Sequence, residues 1–366
     1  MIINNEQAMK RAIVLALNGA GYVSPNPLVG AVILKNGEII SEGWHQKFGA
    51  KHAEIDAIDN AAGIELDGCT LVVNLEPCSH HGKTPPCTSA IIEKKFSTVI
   101  IGLNDPNPSV NGNGSNILTD AGINVITGVC ENDCKWLNRF FLKHITTGLP
   151  YIILKVAQSI DGCIATSKGE SQWISGEESR KRTHRLRSFV DAVLVGKRTI
   201  EIDNPSLTVR DVKGRNPFRI ILDSELSLSP SCKVFSDNEK YKVIIVCHEN
   251  YRHSKRAENL RASGINILAV DEGEDSKLNL KSILKFLYTD YRIGSLMVEG
   301  GAGIYSSFAG ANLIDELHTF TAPKLIGDGI HSFDNYNINR LAYATSLRLV
   351  SSDLSDKDIH SVFVSS

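Results

Sequence analysis

The sequence predicts an α/β protein built from two domains, residues 1–147 and 148–366. At roughly 100–200 residues per domain, a chain of 366 residues is long enough for two. Hydrophobic residues make up 42% and charged residues 22%, a globular balance that can bury two cores. Short apolar runs alternate with segments of helical periodicity, and a Thr-Thr-Gly turn at 146–148 separates the two halves.

The first domain opens with a helix and a hairpin. Apolar positions at helical spacing predict an amphipathic helix over about residues 6–19. A loop leads to a predicted strand at 28–34. The turn at 35–38, which contains Asn-Gly, then returns an antiparallel partner at 39–44.

Chemically informative residues fall at the starts of the next two helices. One helix is expected to begin at residues 52–54 and the other at Cys87, with a buried strand at 70–75 between them. A further strand is expected at 98–102. The polar, glycine-containing loop at 104–114 is interpreted as a rim around a substrate, or as a plain surface turn. Helix N-termini favour thiolate over thiol, so these positions suit sulfur ligands of a metal.

His52, Cys78 and Cys87 form the most informative group in the chain. One imidazole and two thiolates make a soft, incomplete tetrahedral shell for Zn²⁺, which leaves a position for water. Zinc lowers the pKa of bound water from about 15.7 to about 7, and Glu54 is close enough in sequence to move the proton. This pattern is typical of zinc deaminases.

The segment between the two cysteines is longer than in the general deaminase signature. Eight residues, 79–86, separate Cys78 from Cys87. They are polar and basic, and we expect Lys83 and Thr84 to contact an anion such as a phosphate ester.

Two further hypotheses concern the surroundings of this metal. A structural zinc site would use Cys69 or His81 as a fourth ligand, but it would leave Glu54 without a role. Asp56 lies one helical turn from His52, and we expect it to hydrogen-bond to that ligand.

The second domain carries a candidate nucleotide-binding junction. Apolar runs at 151–156 and 191–196 predict buried strands, and the polar loop at 203–210 fits a binding edge. A strand at 295–298 then runs into a glycine-rich segment at 300–303, ahead of a helix. Glycines at such a junction let backbone N–H groups approach a pyrophosphate, although an ordinary turn is the alternative.

Composition narrows the class of partner. A net charge of −2 offers no broad cationic surface for nucleic acid. The sequence has no apolar stretch of membrane-spanning length and no signal peptide, and its eight cysteines do not form a dense framework. We therefore expect a cytoplasmic, homo-oligomeric enzyme that acts on a small molecule, without nucleic-acid or membrane partners.

Four motifs carry a resemblance to a known family. They are PNPLVGAV at 25–32, GWH at 43–45, HAE at 52–54 and LEPCSHHGKTPPC at 75–87. With them the chain resembles the bifunctional deaminase-reductases of riboflavin biosynthesis, over nearly its whole length. The resemblance implies an N-terminal cytidine-deaminase-like α/β/α sandwich and a C-terminal dihydrofolate-reductase-like α/β domain. It also implies one zinc ion per chain and NADPH.

The resemblance further implies residue roles. In the deaminase half, Glu54 is catalytic and the substrate contacts are Asn26, His45, Lys83 and Thr84. The NADPH positions are Ala157, Trp173, Thr199, Asp203, Gly301, Ala302, Gly303, Ile304, Tyr305, Ser306 and Ser307. The reductase substrate positions are Lys155, Ser171, Arg187, Leu207, Arg210 and Glu299.

Some of these residues have a plainer interpretation when taken alone. Trp173 would be a core aromatic, and Arg187 would belong to the solvated face of a charged helix. Lys197 and Arg198 either reach the 2′-phosphate that distinguishes NADPH from NADH, or form a basic surface turn.

Two consecutive reactions are implied. The first is hydrolytic deamination of 2,5-diamino-6-ribosylamino-4(3H)-pyrimidinone 5′-phosphate to 5-amino-6-(5-phosphoribosylamino)uracil. The second is NADPH-dependent reduction of the ribosyl group to ribityl. The alternatives are a nucleoside or tRNA deaminase with a non-catalytic C-terminal domain, and a binding module in which zinc only stabilises the fold.

Overall fold

The chain forms two compact units, Met1–Leu149 and Pro150–Ser366. The structure is a computed structural model, and it describes residues 2–79, 85–107, 112–237, 239, 242–273 and 277–365. The division between the units lies close to the predicted one after residue 147. Across the described residues, no helix is both long and apolar enough to span a bilayer.

The first unit is a five-stranded sheet. Its strands are β1 (Gly30–Lys35), β2 (Glu38–Trp44), β3 (Thr70–Val73), β4 (Thr98–Ile101) and β5 (Asn124–Thr127). Its helices are α1 (Asn5–Ala16), α2 (Ala53–Asn60), α3 (Cys87–Glu93), α4 (Asn113–Asp120), α5 (Glu131–Leu137) and α6 (Arg139–Thr147). The order is β2-β1-β3-β4-β5, with β1 antiparallel to β2 and β3, and with β3, β4 and β5 parallel.

Alternate residues of these strands face two separate cores. Val32 and Val72 pack with Met9 of α1 and with residues of α5 and α6. Ile33 and Leu71, which are the sequence neighbours of Val32 and Val72, pack instead with residues of α2, α3 and α4. The period-two alternation of a strand therefore places helices on both faces. The predicted α/β/α sandwich is confirmed.

The first helix differs from its prediction at both ends. It begins at Asn5, because the Asn4 side chain accepts from the Gln7 backbone N–H and the Gln7 side chain accepts from that of Asn4. It ends at Ala16 and continues as a short 3₁₀ turn over Leu17–Gly19. The sequence pattern marked the apolar face but not the caps.

The second unit is a larger mixed sheet. Its strands are β6 (Tyr151–Ser159), β7 (Cys163–Ala165), β8 (Ala192–Gly196), β9 (Phe218–Leu222), β10 (Val243–His248), β11 (Asn266–Val270), β12 (Ser295–Val298), β13 (Glu316–Ala322), β14 (Ile330–His331), β15 (Leu347–Ser355) and β16 (Asp358–Ser365). Its helices are α7 (Glu177–Phe189), α8 (Lys197–Asp203), α9 (Lys255–Ala262), α10 (Leu280–Tyr291) and α11 (Ala302–Gly310).

Nine of these strands form one sheet in the order β11-β10-β9-β8-β12-β6-β13-β16-β15, and β7 pairs with β14. The strands from β11 to β13 are mutually parallel, whereas β16 is antiparallel to β13 and β15. Parallel neighbours end at a common edge. That edge places the segments after β8 and β12 beside each other, which is where α8 and α11 begin.

We predict that Gly43→Ala destabilises the first unit. A Cβ at Gly43 would overlap the backbone of α2 at Ala53 and Ala57. Because backbone atoms cannot rotate away, α2 must shift, at a cost of about 1–3 kcal/mol in the free energy of unfolding. Urea unfolding followed by circular dichroism measures this loss.

The matched control is Gly310→Ala at the end of α11, where a Cβ has no atom within 4 Å. We expect this variant to be as stable as the wild type or slightly more so. Equal stability of the two variants would show that the close approach at Gly43 carries no constraint.

Candidate active sites

His52, Cys78 and Cys87 come together in the first unit, with one ligand atom of each within 4.8 Å of the others. The His52 Nδ1 atom lies 3.3 Å from Cys87 Sγ and 3.5 Å from Cys78 Sγ. His52 caps the N-terminus of α2, Cys87 is the first residue of α3, and Cys78 follows β3. Two helix starts and one strand end thus converge on this cluster.

Cys78 and Cys87 shift each other's pKa in opposite directions. A hydrogen bond from Cys87, followed by one from His52, lowers the pKa of Cys78 to about 4 despite partial burial. The same Cys78 contact raises the pKa of Cys87 well above its ordinary value. One imidazole and two sulfurs at this separation are a donor set that suits Zn²⁺, and binding of the cation would release the thiol protons. The cluster therefore fits zinc.

Glu54 lies beside the cluster on the first turn of α2 and is only 3% exposed. Burial raises its pKa to about 7, although the nearby His52 opposes this. A cation held by the three ligands would favour the ionised carboxylate. The carboxylate therefore lies next to the metal position and is not a solvent-exposed surface group.

Cys69 and His81 are the two residues considered as a fourth zinc ligand. Cys69 precedes β3, whereas Cys78 follows it, so Cys69 lies outside the cluster and its thiol contacts the Glu65 carbonyl at 3.8 Å. A fourth ligand at Cys69 is therefore wrong. His81 lies outside the described residues.

Asp56 does not contact His52 through its side chain. Its carboxylate accepts from the Trp44 backbone N–H at 3.1 Å and from the Gln46 side chain at 3.5 Å. The expectation of a hydrogen bond to the ligand is wrong, because the α2 turn points Asp56 at the end of β2.

Asn26 and His45 are paired with each other. His45 Nδ1 lies 2.8 Å from the Lys51 carbonyl, so it carries the hydrogen and donates. Its Nε2 then accepts from Asn26 Nδ2 at 3.1 Å. Burial lowers the pKa of His45, which keeps the ring neutral. The ring edge faces His52, with centroids 5.8 Å apart. Lys83 and Thr84, the other predicted contacts, lie outside the described residues.

Arg187 and Glu299 form a buried ion pair in the second unit. Arg187 Nε lies 2.5 Å from Oε1 of Glu299, and Nη2 lies 2.8 Å from Oε2. Nη1 also donates to the Thr208 carbonyl at 3.1 Å. The side chains are 11% and 6% exposed, so Arg187 does not lie on a solvated helix face.

Lys155 on β6 lies in the same buried region. Burial lowers the pKa of its ammonium group, while Glu299 opposes that shift and Arg187 reinforces it. The carboxylate of Glu299 is therefore influenced by two cations at once. Burial is the largest single influence on its pKa and would raise it, but the charge and hydrogen bonds of Arg187, together with the charges of Lys155 and His184, lower it overall.

The glycine-rich junction after β12 packs against the start of α8. Gly301 caps α11, and the backbone N–H of Gly196 donates to the Gly300 carbonyl at 3.2 Å. A Cβ on Gly300 or Gly301 would lie 3.7 Å from Thr199 Oγ1. Thr199 and the two glycines thus share one surface, as a nucleotide site at this junction requires.

The α11 side chains have mixed roles. Tyr305 is 3% exposed and donates its hydroxyl hydrogen to the Lys155 carbonyl at 2.6 Å. Ser306 donates to the Asp334 carbonyl at 2.5 Å, and Ser307 donates to that of Gly303 at 2.8 Å. Tyr305 and Ser306 thus anchor the helix to neighbouring segments, whereas the Ser307 bond lies within the helix. Gly301, Ala302, Gly303 and Ile304 form its first turn.

Ser171, Asp203 and Trp173 lie near one another. Ser171 donates to Asp203 at 2.8 Å. Trp173 is 61% exposed with the Arg180 guanidinium 4.7 Å from its ring centroid, so it is not a core aromatic.

The remaining predicted contacts are spread around this unit. Arg210 donates to Ser206 at 2.6 Å. Leu207 is buried, and Ala157 pairs in register with Phe320 across β6 and β13.

Sequence reasoning missed a series of hydrogen-bonded polar side chains next to Lys155, in which Glu316 and His318 are buried and Arg182 and His360 are half-buried. Arg182 can only donate, so its contact at 3.3 Å makes His360 Nδ1 an acceptor. His360 Nε2 then donates to His318 Nδ1 at 2.9 Å, and His318 Nε2 donates to Glu316 at 2.6 Å. His360 also stacks on Phe320 at 4.2 Å. The available signal was the spacing of Glu316 and His318, which are two residues apart in β13 and therefore lie on the same face of the sheet.

These hydrogen-bonded side chains lie beside the candidate substrate-binding residues of the second unit. His318 pairs in register with Lys155 across β13 and β6, and the Lys155 ammonium lies 5.9 Å from the Phe320 ring centroid. Arg182 belongs to α7, the same helix as Arg187. The hydrogen bonds from Arg182 through His360 and His318 therefore hold α7 against the sheet beside Lys155.

The two halves match two known families. Residues 3–103 match the cytidine and deoxycytidylate deaminase zinc-binding region, and residues 150–361 match the RibD C-terminal domain. Together with the two sites, these matches define a bifunctional enzyme in which a zinc-binding deaminase is joined to a reductase.

Full-length relatives identify the family. The riboflavin biosynthesis protein RibD of Actinobacillus pleuropneumoniae is 38% identical over 353 residues, 96% of this chain and 93% of the relative. That of Aquifex aeolicus is 45% identical over 88% of each chain. The crystal structure of a diaminohydroxyphosphoribosylaminopyrimidine deaminase/5-amino-6-(5-phosphoribosylamino)uracil reductase from Thermotoga maritima is 40% identical, covers 99% of each chain and has a TM-score of 0.88. The chain belongs to the RibD family of riboflavin biosynthesis.

Membership decides between the predicted functions. A bifunctional deaminase-reductase of riboflavin biosynthesis is confirmed. A nucleoside or tRNA deaminase with a non-catalytic second domain is not supported, because the second half matches the reductase of the same family.

We predict that the second unit loses stability in acid through His360. Burial lowers the pKa of His360 to about 4, with His318 and Arg182 adding to the effect while Asp353 and Glu316 oppose it. Between pH 6.5 and 4 the unfolded state binds a proton that the native state does not. The free energy of unfolding should therefore fall by about 1–3 kcal/mol as the pH drops through this window.

Urea unfolding at pH 7, 6, 5 and 4 measures the slope. His360→Gln can still accept from Arg182 and donate to His318, but it does not titrate, so its slope should be shallower. The control is the same substitution at the exposed His253. Equal slopes for wild type and both variants would contradict the assignment.

Proposed function

We propose that the chain deaminates 2,5-diamino-6-ribosylamino-4(3H)-pyrimidinone 5′-phosphate and then reduces the ribosyl group of the product. The observation that carries this proposal is the presence of two sites in one chain. One is a cluster of metal-binding side chains beside the buried Glu54, and the other is a glycine-rich junction beside the half-buried Lys155. The Thermotoga maritima relative bears the names of both activities.

In the deaminase half, His52, Cys78 and Cys87 hold one zinc ion. When bound, zinc acidifies a coordinated water, which supplies the nucleophile for the ring carbon that bears the exocyclic amine. Glu54 takes up a proton at its carboxylate and returns it to the departing ammonia. Its burial keeps bulk water away from that transfer. Asn26 and His45 form a neutral, pre-paired contact for the pyrimidine, and Lys83 and Thr84 bind the phosphate.

In the reductase half, NADPH supplies the hydride. We place its pyrophosphate at the first turn of α11, where Gly301, Ala302, Gly303 and Ile304 offer backbone, and against Thr199. Ala157, Trp173, Asp203, Tyr305, Ser306 and Ser307 complete the cofactor surroundings.

The substrate contacts of this half are Lys155, Ser171, Arg187, Leu207, Arg210 and Glu299. Three of the five N–H groups of Arg187 already bond Glu299 and Thr208. Two N–H groups remain for a phosphate oxygen, so Arg187 is positioned before substrate arrives. Lys155 and Glu299 lie beside the ribosyl carbon that is reduced.

We also retain the cytoplasmic, homo-oligomeric state as a prediction. The edge strand β15 supports association with a second copy, because Leu349, Val350 and Leu354 on it are all exposed. An exposed edge strand offers unpaired backbone groups with which a strand of another chain can pair.

The first test combines chelation with Glu54→Gln. In one sample, ammonia release from the proposed substrate and NADPH absorbance are followed together. We expect ammonia to appear before NADPH is consumed, and a zinc chelator to abolish both. Glu54→Gln should keep its zinc and lose about 10²–10⁴-fold in the rate of ammonia release.

The matched control is Asp59→Asn, which removes an exposed carboxylate from the same helix. It should behave as wild type. Substantial ammonia release by Glu54→Gln would reject a catalytic zinc site. Ammonia without NADPH oxidation would reject the second reaction.

The second test concerns the choice of cofactor. Lys197 follows β8 at the carboxyl edge of the sheet, and its ammonium donates to Ser227 at 2.9 Å. If it also binds the 2′-phosphate, Lys197→Gln should raise the KM for NADPH about tenfold and leave that for NADH unchanged. Lys213→Gln, at an exposed loop, is the control. Equal changes for both cofactors would assign Lys197 to a surface turn.

A further inference from the structure

Glu76 is a buried carboxylate that the chemistry above does not use. It is 4% exposed and lies two residues before Cys78. Its Oε2 accepts from the backbone N–H groups of Asp105 at 3.1 Å and Gly112 at 3.0 Å, and its Oε1 accepts from that of Ser115 at 3.0 Å. Three backbone donors from two segments thus converge on one side chain.

Both segments lie beside the metal ligands. Because β3 and β4 are parallel neighbours, Cys78 after β3 and Asp105 after β4 emerge at the same edge of the sheet. The backbone N–H of Glu76 also donates to the Leu103 carbonyl at 2.9 Å. The turn that carries Cys78 is therefore joined directly to the segment that follows β4.

The start of α4 is held equally closely. A Cβ on Gly114 would overlap the Pro77 carbonyl and lie 3.2 Å from Glu76 Oε1. No larger residue fits there without moving the helix away from the Cys78 turn. Glu76 and Gly114 together set how far α4 stands from the cluster.

The two segments, 104–107 and 112–115, carry amide groups toward solvent. Asn104 and Asn113 are both exposed. Amides can donate and accept hydrogen bonds, which suits the hydroxyl groups of a ribosyl moiety. The two amide side chains lie on the predicted rim of the substrate site, whereas the carbon that reacts must lie next to the metal.

We propose that Glu76 is a positioning residue of the deaminase. It fixes the rim segments relative to Cys78, so that they bind the ribosyl part of the substrate without touching the reacting carbon. This role rests on the proposed function. It predicts that loss of Glu76 weakens binding of ground state and transition state alike, and so raises KM while sparing kcat.

Glu76→Gln is the direct test, because it keeps the shape and removes the charge. An amide has one oxygen, so in either orientation its NH₂ group faces at least one backbone N–H. We expect KM for the diaminopyrimidine ribosyl phosphate to rise about tenfold, with kcat and zinc content nearly unchanged. Hydrogen exchange should quicken at the amides of Asp105, Gly112 and Ser115. Glu93→Gln, at an exposed carboxylate on α3, is the control.

The outcomes separate the possibilities. Loss of zinc, or a fall in kcat with KM unchanged, would show that Glu76 acts on the metal ligand and would overturn the proposal. Unchanged KM and unchanged exchange would overturn it as well. If the wild type releases no ammonia from this compound, the proposed substrate is wrong and the positioning role falls with it. A raised KM in Glu76→Gln but not in Glu93→Gln would support both the proposed substrate and the positioning role of Glu76.

Discussion

Parallel strand pairing is the constraint on which both sites depend. Neighbouring parallel strands end at one edge, so the chain segments that follow them are brought together whatever their separation in sequence. In the first unit this edge collects Cys78 and the segment after β4, and the starts of α2 and α3 add His52 and Cys87. In the second unit it collects the starts of α8 and α11.

Both sites also bury charge that an ordinary core would exclude. Glu54 in one unit and the side chains of Arg187 and Glu299 in the other are almost fully enclosed, and Lys155 is half-buried. Such groups are costly unless they are paired, and a lone one shifts its pKa toward the neutral form. The structure compensates in different ways: Arg187 and Glu299 neutralise each other, whereas Glu54 stands beside the position of a cation.

Local sequence patterns predicted the strands β1–β4, β6, β8 and β12 and the residues of the metal cluster, but not the remaining strands or the partners of individual side chains. Alternation and turn chemistry predicted β1 and β2, and the residue types of His52, Cys78 and Cys87 specified the metal. The pairing of Asn26 with His45, and of Arg187 with Glu299, joins residues far apart in sequence. No periodicity encodes such contacts. Asp56 was misjudged for the same reason, since its partner lies on β2.

The Arg187–Glu299 pair has a consequence for how the enzyme meets its surroundings. Dissolved ions screen charges that solvent can reach, over about 8 Å at physiological ionic strength, but they screen an enclosed pair much less. Added salt should therefore weaken the attraction between a charged ligand and the exposed charges of this unit, while leaving the Arg187–Glu299 pair intact. If Arg187 binds the substrate phosphate as proposed, ionic strength should affect the rate of encounter more than the geometry of binding.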